Sequence, residues 1–237
     1  MKRNLAIFLM GMTIATMVLG GCKDKENISK KDGKESESVE DKKTFTVGFD
    51  AEYPPYGYMD ENGEYTGFDL ELAEAVCELE GWELVKKPIN WDSKDMELNS
   101  GAIDCIWNGF TMNGREEEYT FSTPYVDNSQ VIVVAEKSGM KTLEDLQGKS
   151  VGVQAASAAL DLLQSEEEGG QKALADTFSA LNEFADYNTA FTELQAGALD
   201  ALAIDVGVAN YQIKSRGEGY QILEETLNTE QYAIGFK

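Results

Sequence analysis

ELNSGAIDCI (97–106) and ELQAGALDAL (193–202) carry Glu, Leu, Gly, Ala and Asp at identical offsets, about a hundred residues apart. Each reads as the end of a helix, a glycine stop and the start of a strand. The period is too long for a solenoid and suggests two similar α/β lobes. The plainer alternative is two unrelated helix–glycine–strand units that share common residues.

Working outward, KTFTVGF (43–49) alternates β-branched and aromatic residues and reads as a strand. DAEYPPYGYMDENGEYTG (50–67) reads as a long loop. FDLELAEAVCELEGW (68–82) places Phe68, Leu72, Ala73, Val76 and Leu79 on one helical stripe, with Asp69 as a cap. WELVKKPI returns to a strand, and SKDMELNSGAIDCIWN gives helix, glycine stop and strand. The order then repeats: a short helix opened by Thr142 with Asp145 in capping-box position, the strand SVGV, a loop into a helix, and TAFTELQAGALDALAID. QVIVVAEK (130–137) reads as the strand crossing between lobes. Alternating strands and helices predict mostly parallel sheets with ligand loops at their carboxyl ends. Those loops begin at Asp50 and Asn108 in one lobe and at Gln154 and Asp205 in the other.

Composition narrows the function. The formal charge of −23 excludes nucleic acid and anionic membrane surfaces as partners, since their phosphates would be repelled. Residues 1–21 read as a secretory leader, with Lys2 and Arg3, an apolar run from Leu5 to Leu19, and Gly20–Gly21 before Cys22. Residues 23–43 hold seven lysines and seven acids and almost nothing apolar, the composition of a disordered tether. Residues 44–237 carry 11 basic and 36 acidic side chains, a net of −25, so the charge belongs to the folded part. There is no histidine and no CxxC spacing, which argues against a zinc site or a Ser-His-Asp triad, and no cofactor is expected. Cys77 and Cys105 fall in apolar patterns that suit either buried free thiols or a disulfide.

Four loop ends hold the candidate chemistry. Arg115, one of two arginines after the leader, offers a planar fork suited to a carboxylate. Asp205 ends the apolar run ALAID, where a carboxylate is costly without a cation or several donors. Ser157 lies at a strand-to-helix turn, and Thr111 with Asn108–Gly109 adds a hydroxyl, an amide and exposed backbone. One positive fork, one negative acceptor and neutral polar groups fit a zwitterion. The alternatives are an exposed Arg115 paired with Glu116 to Glu118, and an Asp205 that only caps the following helix. Tyr53, stiffened by Pro54 and Pro55, can cover a ligand or simply pack its loop, and Trp91 and Trp107 can supply walls or core. QGKS lacks the earlier glycine of a phosphate-binding loop.

The chain resembles the extracellular solute-binding proteins of amino-acid ABC transporters. The resemblance is carried by GFDAEYPPYGYMDENGEYTGFDLELAEAV, GAIDCIWNGFTMNGR…TFSTPY, LQGKSVGVQAASA and GALDALAID, in family order from about residue 44. It implies a type II periplasmic-binding-protein fold, two α/β lobes joined by two crossing strands that close on a ligand. Its implied bounds are lobe 1 at 44–130, a crossing at 131–136, lobe 2 at 137–229 and the second crossing strand at 230–237. Family members continue past that point, so the chain reads as truncated. LGGC resembles the lipoprotein cleavage box, implying a lipid on Cys22 that holds the protein to the outer face of a bacterial membrane.

Carried over, Arg115 takes the α-carboxylate, helped by Thr111, Ser157 and the Ala158 N–H. Asp205 takes the α-ammonium, with a carbonyl of Asn108 or Gly109, Tyr53 stacks on the side chain, and Asp50 belongs to the same opening motif. The expected partners are an amino acid and an ABC permease, and no catalysis is expected. Two departures stand out: the Thr111 to Arg115 link is one residue short, and Ala156 replaces the usual glycine. An enzyme such as an exported dehydratase is the rival reading, needing a general acid or base for which Glu52 and Asp104 are the candidates. A sensor domain is a third.

Overall fold

The computed structural model describes residues 43–237. The expected leader, the lipid attachment at Cys22 and all of the tether before Lys43 lie outside the described residues. The first lobe contains β1 (Thr44–Phe49), β2 (Glu52–Tyr53), β3 (Gly57–Met59), β4 (Tyr65–Thr66), α1 (Phe68–Glu80), β5 (Glu83–Pro88), α2 (Lys94–Asn99), β6 (Cys105–Ile106) and β7 (Thr120–Phe121). A long strand, β8 (Val126–Ala135), leads into β9 (Ser150–Gln154), α3 (Ala158–Gln164), α4 (Lys172–Ala175), β10 (Ala180–Phe184), α5 (Tyr187–Ala196), β11 (Ala201–Asp205), α6 (Val206–Arg216) and β12 (Tyr220–Ile222). The chain returns through β13 (Asn228–Tyr232) to β14 (Gly235–Phe236).

The two sheets are built alike. In the first, β1 lies between β5 and β6, parallel to both, and β14 joins β6 antiparallel. In the second, β9 lies between β10 and β11, parallel to both, and β8 joins β11 antiparallel. The repeated residues do the same work in each. Gly101 and Gly197 both take left-handed φ, 75° and 79°, and end their helices. Asp104 Oδ2 accepts from the Thr46 N–H at 2.7 Å, and Asp200 Oδ2 accepts from the Ser150 N–H at 2.9 Å. Ile103 packs against Gly48, and Leu199 against Gly152. The shared Asp therefore ties each strand's entry to its parallel neighbour, and a glycine on that neighbour, Gly48 or Gly152, admits the apolar side chain beside it.

Each lobe has its own core. Val47, Phe49, Leu70, Ala73, Cys77 and Cys105 pack in the first lobe, and Val151, Val153, Leu160, Leu163 and Ala203 in the second. Burial of each large aliphatic side chain contributes about 1.5–3 kcal/mol. Cys77 and Cys105 are free thiols inside the first core, which decides between the two readings of that pair.

Four sequence expectations need correction. The 50–67 segment is not simply a loop: β2, β3 and β4 form a three-stranded sheet of their own. The buried stripe of α1 is Leu70, Ala73 and Cys77, while Phe68 and Leu79 are exposed, because both sets fit a 3.6-residue period and only contact with the sheet separates them. The crossing also lies earlier than 131–136. Val126–Gln130 pairs antiparallel with β13, whereas Val131–Val134 pairs with β11 inside the second sheet. Thr142 and Asp145 do form the expected capping box, on a 3₁₀ turn at Leu143–Leu146.

Asp69 is not a helix cap. Gly67 takes the N-cap position of α1 at φ 130° and ψ 165°, a region open essentially only to glycine. A Cβ there would collide with the carbonyl of Tyr56. Gly67→Ala is expected to destabilise the protein by about 2 kcal/mol or more, read from the chemical denaturation midpoint.

Candidate functional site

The carboxyl ends of both sheets and the paired crossing strands converge on a small, partly open pocket of about 10 Å³. It is lined by Tyr53, Trp91, Gly109, Thr111 and Arg115 from the first lobe and by Gln154, Ser157, Ala158 and Asp205 from the second. Seven of the nine residues expected at a ligand site are thus brought together. The other two stand apart: the Asn108 side chain packs beneath Gly57, and Asp50 lines an outer recess.

Asp205 holds the N-cap position of α6 but makes no capping hydrogen bond, which removes the plainer reading of this residue. Its Oδ1 instead accepts from Asn128 Nδ2 at 2.7 Å, Gln130 Nε2 at 2.7 Å and the Tyr232 hydroxyl at 2.6 Å. Burial pushes its carboxyl up to about 6; the nearby Glu230 carboxylate adds to the rise, and the hydroxyl and amide donors oppose it. No lysine or arginine forms an ion pair with Asp205 among the described residues.

Arg115 is buried and lies over the Phe110 ring, with Nη1 donating to the Thr111 carbonyl at 3.4 Å. Its charge is paired, but not with the neighbouring glutamates. Nη2 donates to Asp161 Oδ2 at 2.7 Å, a carboxylate on α3 of the opposite lobe. Glu116 to Glu118 do not compete for the fork. The Asp161 side chain is 61% exposed, so this pair is worth less than about 1 kcal/mol and leaves Arg115 available to a better-enclosed carboxylate.

The remaining expected residues have clear local roles. Ser157 caps α3, its hydroxyl oxygen accepting from the Leu160 N–H at 3.2 Å, which leaves its hydrogen to donate. The Thr111 hydroxyl, expected beside a carboxylate, donates to Glu230 Oε1 at 2.7 Å instead. Gly109 is fixed by its N–H, which donates to the buried Asp69 Oδ2 at 2.5 Å; burial pushes that carboxyl up to about 7. Ala156 adopts a left-handed φ of 54°, the strained position where a glycine was expected, at a cost of about 1–2 kcal/mol. Its carbonyl accepts from Lys94 Nζ of the first lobe at 3.2 Å.

Tyr53 and Trp91 stand nearly parallel, 10° between planes with centroids 6.5 Å apart, and both line the cavity. Beyond Trp91 opens a recess of about 610 Å³ at the lobe boundary, lined by Asp50, Glu52, Asp92, Glu97 and Asp186. Asp50 Oδ2 accepts from Gln154 Nε2 at 2.6 Å, and Asn188 donates to Glu52, so both contacts tie the lobes together. Asp104, one of the two candidate acid–base residues, sits at the far end of the first sheet on the Thr46 N–H.

Residues 45–225 match the family model of bacterial extracellular solute-binding proteins, family 3. The chain belongs to that family. The L-cystine-binding protein TcyJ of Escherichia coli K12 is 28% identical over 202 residues, spanning 84% of this chain and 73% of the relative. The ABC transporter arginine-binding protein 1 of the same strain is 28% identical over 189 residues, spanning 79% and 74%. A crystal structure of an ABC uptake transporter substrate-binding protein from Streptococcus pneumoniae with bound histidine is 36% identical, with a TM-score of 0.76 over 82% of this chain and 79% of that one. The fold is therefore that of the type II periplasmic-binding proteins.

Several polar residues at the site of this solute-binding protein have no place in the sequence reading: Asn128, Gln130, Glu230, Tyr232, Asp161 and Lys94. A signal existed for four of them. Asn128 and Gln130 alternate on one strand and Glu230 and Tyr232 on the other, so a period of two puts each pair on one face. Asp161 lacks such a signal, because its partner comes from the other lobe. Asp161→Asn is expected to tighten ligand binding about two- to fivefold in a calorimetric titration, since a weak competitor for Arg115 is removed.

Proposed function

We propose that this protein captures an amino acid between its two lobes and delivers it to the permease of an ABC importer. A lipid on Cys22 would hold it at the outer face of the bacterial membrane. The observation that carries the reading is a pocket between the lobes lined by a guanidinium fork from one and a buried carboxylate from the other. A zwitterion touches both only when the lobes are closed, so its differential affinity favours closure. Micromolar capture requires about −8 kcal/mol, within reach of a few charge-assisted hydrogen bonds and an aromatic contact.

The side chain of the ligand then runs between Tyr53 and Trp91 toward the acidic recess. Glu97 is paired with Lys87, and the other four carboxylates favour an arginine, lysine or histidine side chain, or the second ammonium of cystine. The names of the relatives, which bind cystine or arginine, agree with such ligands. The test is calorimetry of the protein against L-arginine, L-lysine, L-histidine, L-cystine, L-glutamine and L-glutamate. Binding is expected for one or more of the first four and not for L-glutamate. A preference for L-glutamate would overturn the side-chain assignment, and failure of every amino acid would overturn the receptor reading. Recovery of the bound amino acid chemically unchanged is expected, and its conversion would favour the dehydratase-like reading.

A further inference from the structure

Glu230 on β13 is buried, 4% exposed, and meets Asp205 across a ring of hydrogen bonds. Asn128 Nδ2 lies 2.7 Å from Asp205 Oδ1 and 2.8 Å from Glu230 Oε1. Gln130 Nε2 lies 2.7 Å from each of the same two oxygens. Each amide has two N–H groups and gives one to each acid. Flipping either amide would set its oxygen against two carboxylates, so the orientation is forced. Both amide oxygens are buried without a partner as a result. Glu230 Oε1 also takes the Thr111 hydroxyl at 2.7 Å, and Oε2 takes Asn228 Nδ2 at 3.1 Å.

The ring follows from strand register. Gln130 is paired with Asp205 on one side and with Asn228 on the other, and Asn128 is paired with Glu230. An ionised carboxylate only accepts, so the Thr111 hydrogen is committed to Glu230 and the hydroxyl presents lone pairs to the cavity it lines. Lone pairs repel a ligand carboxylate and suit an ammonium. Two buried acids within one hydrogen-bond ring, with no cation paired to either among the described residues, leave an excess of negative charge at this end of the cavity.

We propose that Glu230 is a positioning residue for amine recognition: it fixes Thr111 as an acceptor and, through the shared Asn128 and Gln130 amides, holds Asp205 with Oδ1 engaged and Oδ2 left for the ligand's ammonium. This rests on the receptor reading and gives its amine pole a second acid. Asp205 also faces Tyr232 on β13, Tyr53 and Tyr56 from the first lobe, and Tyr187 on α5, whose hydroxyls stay protonated because burial raises each of them. Arg115 stands behind Thr111. Burial is the main reason Asp205 ionises late, and the negative charge of Glu230 adds to it.

Calorimetry on the protein with L-arginine, L-histidine and L-cystine, across pH 5 to 8, tests this with Glu230→Gln, Thr111→Val and Thr111→Ser. Glu230→Gln is expected to lower affinity about tenfold while moving the acidic midpoint of binding to lower pH, a shift that simple loosening of the hinge would not produce. Thr111→Val is expected to lose a similar factor and Thr111→Ser to retain binding. Unchanged affinity and midpoint in Glu230→Gln, with the wild type binding normally, would overturn the role of Glu230 alone. Should Glu230→Gln fail to fold, equal affinities of Thr111→Val and Thr111→Ser would overturn it. A wild-type protein that binds none of the three would overturn the receptor reading and this role together.

Discussion

Arg115→Ala is expected to weaken binding of every amino acid by at least about a hundredfold, with little change in thermal stability of the unliganded protein. The asymmetry follows from what the fork does without ligand. Among the described residues its one ion pair is with the exposed Asp161, worth less than about 1 kcal/mol, so its removal costs the fold little. In the proposed complex the same group would face a ligand carboxylate between the lobes, where charge-assisted and bidentate hydrogen bonds are strong. A lysine keeps the charge but not the planar fork, so Arg115→Lys should recover only part of the loss. Calorimetric titration of the variants against the best-binding amino acid checks this, and undiminished binding by Arg115→Ala would remove the carboxylate role.

Asp205→Asn is expected to weaken amino acids by tenfold or more while changing the affinity of analogues that lack the α-amine by less than about threefold. An amide cannot balance an ammonium, but it can keep the hydrogen bond from Tyr232, so the pocket itself survives. The wild-type pH profile has a fixed sign. Asp205 is held up to about 6 in the unliganded protein, and the ammonium needs its ionised form. Affinity is therefore full above that value and falls as pH drops below it, with proton release on binding near the midpoint. Asp205→Asn should flatten this acidic limb; a limb of the same depth would assign the titration elsewhere, and Asp50, also raised to about 6, is the next candidate.

The sequence made the architecture legible because its strongest signal is a physical one repeated twice. Gly101 and Gly197 end helices, and Asp104 and Asp200 hold the neighbouring strand's N–H, so the same residues recur wherever the same joint is built. Local patterns were weaker. The stripe of α1 is right at Ala73 and shifted at its edges, because Phe68 and Leu79 fit the helical period as well as the buried Leu70 and Cys77 do. Residues 50–67 read as a loop because strands of two and three residues are too short to show alternation.

At the site, Arg115 and Asp205 stood out as charges in costly places, and each does lie in the cavity. Their partners did not stand out. Glu230 looks like one more acid in a chain with 43 of them, and only the register of β13 on β8 reveals that it is buried beside Asn128 and Gln130. Asp161 and Lys94 meet the opposite lobe, so their roles depend on closure and not on sequence neighbours.

The most direct test of the two-pole site is one calorimetric comparison on the wild-type protein. It sets the tightest-binding amino acid against its analogue lacking the α-amine and its analogue lacking the α-carboxylate. Each truncated ligand reaches only one of Arg115 and Asp205, so both are expected to bind at least about a hundredfold more weakly than the intact amino acid. Binding of either analogue as tightly as the amino acid would contradict the account.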